Sequence, residues 1–181
     1  MRRFLLAVLF TSVLAPLGLA GAQETEVAAL QPQAGPQSAS GLPLPRYVSL
    51  KAERVNLRVG PGRDYPVSWL YLKSGLPMEV IQEFDHWRRV RDAEGAEGWV
   101  FHSLLSGERS GIVAPWLKGK SATIDMRRSA DAGSALVARM EPGVVAKVSG
   151  CSFGWCEVDA GGRKGFVSQN DLWGVYPDEK F

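Results

Sequence analysis

The sequence predicts an all-β protein made of two tandem small barrels, preceded by an export signal and a loose tether. Three observations carry this. The chain writes one pattern twice, as HWRRVRDAEGAEGWVFHSLL from His86 to Leu105 and as GWCEVDAGGRKGFVSQNDLW from Gly154 to Trp173. Its apolar residues alternate with polar ones in short β-branched and aromatic runs, the period of half-buried strands. No stretch after the signal reads as a convincing amphipathic helix. SALVARM (Ser134 to Met140) comes nearest, and its counterpart VSWLYLK (Val67 to Lys73) reads as strand.

The first 22 residues are an arginine-bearing start, an apolar run from Phe4, and Ala20-Gly21-Ala22. That is a secretory signal peptide with cleavage between Ala22 and Gln23. No Cys stands at the cut, so a lipoprotein anchor is not indicated. No later stretch approaches the roughly 18 unbroken apolar residues of a membrane helix. The expectation is an exported, periplasmic or otherwise extracytoplasmic protein with no integral membrane segment in the mature chain. Cleavage removes Arg2 and Arg3 and no acid, so the 21 basic residues fall to match the 19 acidic ones. Nucleic-acid binding needs a basic footprint. The RRVR run at Arg88 to Arg91 is flanked by Asp85, Asp92, Glu94 and Glu97, so it reads as a mixed solvated face and no nucleic-acid partner is expected.

Residues 23–45 are rich in Gln, Ala, Pro, Ser and Gly and lack aromatics. Such a segment buries too little to offset its ordering entropy and reads as a disordered tether. The first barrel is expected over 46–106, a Gly/Ser/Pro linker over 107–115, the second barrel over 116–175, and a tail over 176–181. The repeat aligns Tyr47–Lys51 with Trp116–Lys120, VNLR at Val55 with IDMR at Ile124, Leu72–Gly75 with Met140–Gly143, Trp87 with Trp155, and Gly98-Trp99-Val100 with Gly165-Phe166-Val167. Strands are expected around a turn at Asp85-His86. A second hairpin is expected at Gly161-Gly162, a dipeptide that accepts the positive φ angles of a tight turn. Val90, Val100, Leu105, Val158, Val167 and Leu172 are the expected core.

A unit of about 60 residues is marginal on burial alone. Cys151 and Cys156, the two cysteines of the chain, flank the turn before and after Trp155. In an oxidising compartment they are expected to form a disulfide, worth roughly 2 kcal/mol for so short a loop. The first unit has Glu83 and Arg88 at those places, a cross-strand ion pair of smaller expected value.

The residues Asn56, Leu57, Arg58, Gly60, Pro61, Tyr65, Leu72, Gly75, Trp87, Val90, Gly98, Trp99, Val100 and Leu105 resemble the bacterial SH3 domain family. The second unit resembles it more weakly, with Asp125 for Asn56 and Ser129-Ala130 for Gly60-Pro61. It keeps Met126, Arg127, Gly143, Trp155, Val158, Gly165, Val167 and Leu172. The Cys-x4-Cys around Trp155 is similar to a variant in exported alphaproteobacterial members. The resemblance implies two SH3-like β-barrels and a binding role. Members occur beside cell-wall hydrolases, where some grip peptidoglycan, and alone in envelope proteins. Fold does not fix the ligand.

Strand parity puts Trp87 on the face opposite Val90, away from the core. An exposed Trp there stacks on a sugar or a proline; the structural alternative is packing on the unit's own loop or its neighbour. Phe101 and Leu104 sit where a groove would lie, while their counterparts are Ser168 and Asp171. A ligand-binding groove is therefore expected on the first unit, from Arg58, Tyr65, Trp87, Phe101 and Leu104. Arg58 either meets a ligand carboxylate or bonds loop carbonyls near Asp64, as Arg127 would near Asp131. The expected ligand is peptidoglycan or its stem peptides, and otherwise an envelope protein. No catalysis is expected. There is no G-x-S-x-G, His86 and His102 stand beside no nucleophile motif, and the cysteines lie in the unit without His. Two Cys with no second pair do not make a zinc site, so no metal or cofactor is expected.

Overall fold

A computed structural model describes residues 38–181. The signal peptide, the Ala22/Gln23 cleavage site and residues 23–37 of the tether lie outside the described residues.

Each unit is a seven-stranded antiparallel sheet bent on itself. The first runs β1 (Arg46–Leu50), β2 (Val55–Arg58), β3 (Val67–Tyr71), β4 (Pro77–Phe84), β5 (Trp87–Arg91), β6 (Glu97–Phe101) and β7 (Leu105–Ser106). Its spatial order is β3-β2-β6-β5-β4-β1-β7. The second runs β8 (Ser110–Val113), β9 (Ile124–Arg127), β10 (Leu136–Met140), β11 (Val145–Ser152), β12 (Trp155–Ala160), β13 (Arg163–Ser168) and β14 (Leu172–Trp173), with the matching order β10-β9-β13-β12-β11-β8-β14. The LVARM part of SALVARM is strand β10, as VSWLY of its counterpart is β3. One-turn 3₁₀ helices at His102–Leu104 and Gln169–Asp171 precede the last strand of each sheet.

The alternation that predicts the strands also fills two cores. Leu50, Val55, Leu57, Met78, Val80, Val90 and Val100 are buried in the first. Val113, Met126, Val148, Val158, Val167 and Leu172 are buried in the second. Leu105 is only partly buried and packs against the first core. The Gly of each Gly-aromatic-Val triplet has a packing reason. A Cβ on Gly98 would lie 2.6 Å from Leu57 Cγ and 2.8 Å from Arg58 O, and one on Gly165 would lie 2.6 Å from Met126 Cγ and 2.7 Å from Arg127 O. No side chain fits where β6 crosses β2, or β13 crosses β9. At the β12–β13 hairpin Gly161 and Gly162 take φ of 61° and 84°, as the turn requires.

Three boundaries differ from expectation. The counterpart of β1 is β8, inside the expected 107–115 linker, not the segment at Trp116. Leu50 N donates to Leu76 O and Val113 N to Val144 O, each at 2.9 Å, which fixes Leu50 against Val113. Trp116 lies in a longer connection, Ala114–Thr123, that the first barrel lacks; its Trp-Leu-Lys mimics Tyr-Val-Ser closely enough to mislead a pattern match. The expected tether is fastened at its end. Ser40 donates from its backbone N and its Oγ, each at 2.8 Å, to the Glu83 carboxylate, and Leu44 packs on the first core. The expected tail is also docked. Arg109 holds Glu179 at 2.8 Å and 2.9 Å, and Phe181 exchanges backbone hydrogen bonds with Cys151.

The barrels meet through these last residues. Tyr47 stacks on Tyr176 at 4.6 Å and meets Trp173 edge-on at 5.2 Å. The Tyr176 hydroxyl donates to Glu79 at 3.0 Å. Burial, aided by Glu79, pushes the Tyr47 phenol up to about 12.

Candidate groove on the first barrel

Two crossings of the first sheet build the groove. Cross-strand pairing sets Trp87, at the start of β5, against Phe101, at the end of β6. Their rings meet edge to face at 5.4 Å. Val90, three residues on, is fully buried, so parity turns Trp87 away from the core. Its ring is half-buried: one edge rests on Phe101 and another lines a cavity of about 410 Å³. Arg58, Phe101 and Leu104 line the same cavity. Four of the five residues singled out in sequence are thus brought together.

Tyr65 is not among them. Its ring lies over Gly60, where a Cβ would come within 2.3 Å of it, and it remains 47% exposed. It serves the groove indirectly, because Arg58 Nη1 donates to the Tyr65 carbonyl at 2.7 Å. In the second barrel Arg127 donates to Ser134 O at 2.9 Å. Both arginines tie down the loop after their strand, which is the structural role; Arg58 also faces the cavity.

Arg54, Asn56, Arg63 and Ser103 complete the wall and were not anticipated. Arg54 and Asn56 lie two residues apart along the entry to β2, and Arg63 lies in the β2–β3 loop. Parity along VNLR would have placed Asn56 and Arg58 on one face; nothing local brings Arg63 in.

The second barrel repeats the site at about 260 Å³ with different chemistry. Asp125, Arg127, Trp155, Ser168 and Asp171 line it. Asp125 Oδ2 accepts from Arg127 Nη2 at 2.6 Å. Burial raises the Asp171 pKa above the usual carboxylate range. The expected contrast of Phe101 and Leu104 with Ser168 and Asp171 holds as a contrast between two cavities.

Cys151 and Cys156 are disulfide-bonded, with Cα atoms 4.1 Å apart on β11 and β12. At the same register in the first barrel Glu83 faces Arg88. This pair is more than the expected surface contact. The Glu83 side chain is fully buried, with Arg88 Nε 3.1 Å away and Arg46 and Ser40 bonded to it. Burial alone would raise its pKa, but the bonds from Arg46 and Ser40 prevail and hold it at about 2.

Between the barrels lie two adjoining cavities of about 210 Å³ and 490 Å³ that share Leu76, Ala93, Glu94 and Ile112. Trp69 and Trp116, 59% and 51% exposed, stand at them. Sequence periodicity gave no sign of either Trp as a surface residue. Among the described residues no cluster of three His, Cys, Asp or Glu side chains is placed to hold a metal ion. No helix among them is long and apolar enough to cross a membrane.

Comparison with known proteins agrees with the doubled barrel. Residues 51–107 and 120–174 each match the bacterial SH3 domain, and the chain belongs to that family. No curated protein matches. Among solved structures, the chain is similar to NlpC2 from Trichomonas vaginalis at 9% identity and a TM-score of 0.31, covering 71% of this chain and 48% of that one. It is similar to NlpC1 from the same organism at 10% identity and 0.32, covering 75% and 48%. The chain thus spans about half the length of these structures.

Proposed function

We propose that this protein is a non-catalytic binding module of the cell envelope that recognises peptidoglycan, or its stem peptides, through the groove of the first barrel. The observation that carries the reading is the convergence of Trp87, Phe101, Leu104 and Arg58 on one open cavity of a bacterial SH3 barrel. An aromatic wall beside polar donors suits a ligand with an apolar body and polar substituents. The Cys151–Cys156 disulfide fits an oxidising, extracytoplasmic location. The groove holds a hydroxyl, Ser103, but no His or carboxylate to activate it. A second reading, a protein–protein adaptor without wall affinity, draws on the exposed Trp69 and Trp116 beside the inter-barrel cavities, since exposed aromatics mark protein interfaces.

The test is to mix the purified protein with insoluble peptidoglycan and spin. Wall binding depletes the supernatant and quenches or shifts Trp emission, with no soluble muropeptides released. Full recovery of protein in the supernatant sinks the wall reading and leaves the adaptor. Muropeptide release that scales with protein sinks the non-catalytic assignment.

A further inference from the structure

We propose that the first barrel's cavity is a carboxylate receptor, which takes an anionic peptide with its charge on Arg54, Arg58 and Arg63 and its apolar body on Trp87 and Phe101. The inference deepens the wall-binding reading and rests on it. It names the chemical class of the ligand and the reason only one barrel takes it.

Seven arginines of the described residues, at 46, 88, 89, 91, 109, 127 and 139, stand within 4 Å of a carboxylate. The three that line this cavity have no ion-pair partner among the described residues, and no acid lines the cavity with them. Glu53 and Asp64 neighbour Arg54 and Arg63 in sequence but do not line it. Of the five described arginines without such a partner, three line this cavity, while Arg128 and Arg163 stand on the second barrel outside its cavity. Here three like charges are gathered around an open space, which costs repulsion and raises a positive potential that draws in anions.

Arg58 is half-buried and pinned by the Tyr65 carbonyl, so part of its fork is oriented before any ligand arrives. Arg54 and Arg63 are exposed and their long stems are free to close over an oxyanion. Trp87, Phe101 and Leu104 form an apolar wall in the same cavity. The occupant is therefore amphiphilic: an oxyanion next to an apolar body, with amides for Asn56 and Ser103. A peptide carboxylate meets all of this, whereas a free phosphate leaves the apolar wall unused.

The second barrel is the internal control. The guanidinium bonds of Arg58 to the Tyr65 carbonyl and of Arg127 to the Ser134 carbonyl set the register between the two loops. Arg54 then corresponds to Thr123, Asn56 to Asp125 and Arg63 to Ala132, while the Gly98–Gly165 match sets Leu104 against Asp171. The second cavity holds one arginine and two aspartates, and one of those aspartates already occupies the arginine. It repels the ligand that the first cavity attracts.

Titration calorimetry of the purified protein would use three probes: a muramyl tetrapeptide with free carboxyls, the same molecule fully amidated, and inorganic phosphate. The free acid is expected to bind at least about tenfold tighter than the amide. That gap should narrow as salt rises. It should shrink severalfold in the double variant R54Q/R63Q, two exposed changes outside the core that leave Arg58 in place. Equal affinity for acid and amide overturns the carboxylate assignment while wall binding stands. Phosphate binding as tightly as the acid peptide overturns the peptide. Loss of binding to both peptides and to insoluble wall overturns this inference together with the wall reading.

Discussion

Glu83 shows how a single residue secures the first barrel. Its carboxylate is buried where the second barrel has half a disulfide, and Arg46, Arg88 and Ser40 converge on it. A folded pKa of about 2 lies below the ordinary value of 4.5. The stability this gives is complete above about pH 4.5 and drains away as pH falls toward 2. Glu83→Gln should lower unfolding stability at pH 7 by about 3 kcal/mol, since it leaves two cations without their anion. Urea melts at pH 7 and pH 3 check this: the variant should differ strongly from the native protein at the first pH and much less at the second. The Glu83–Arg88 pairing was legible in the sequence because register follows from the Trp87–Trp155 alignment. Its weight was not. Burial of Glu83 depends on Ser40 and Arg46, which come from the segment read as tether and from β1.

The β11–β12 hairpin carries the disulfide, and it illustrates division of labour between elements. Cys151 and Cys156 close a loop of six residues, so their gain is modest. Replacing both by Ser should lower the protein's single unfolding transition by roughly 2 kcal/mol; an unchanged urea midpoint would contradict this. Strand existence was plain in the sequence because alternation of Val, Ile and aromatic residues has one physical cause, a half-buried pleated face. The first strand of the second barrel was hidden. SGIV is short, is flanked by Gly, Ser and Pro, and packs as strand only because β11 and β14 lie on either side of it. The groove was legible where strand parity gave Trp87 and where the family resemblance gave Arg58, Phe101 and Leu104. It was illegible where loops supply it: Tyr65 turned to cover Gly60, and Arg63 came from the far side of the same loop.

The two barrels form one body because the chain's last residues bind them. Tyr176 stacks on Tyr47 and donates to Glu79, while Arg109 grips Glu179. Deleting 176–181 should split thermal unfolding into two transitions, one for each barrel, where the intact protein shows one. A single unchanged transition would show that the strap is dispensable. The same architecture repeats one cavity on each barrel, the first cationic and aromatic, the second acidic. The central claim is that the first of these is the recognition face. Sedimentation with insoluble peptidoglycan of the native protein, Trp87→Ala and Trp155→Ala, run in parallel, tests it most directly. The account predicts that native protein and Trp155→Ala pellet alike while Trp87→Ala stays in solution, folded by circular dichroism. Equal pelleting of all three, or loss with Trp155→Ala alone, would contradict it.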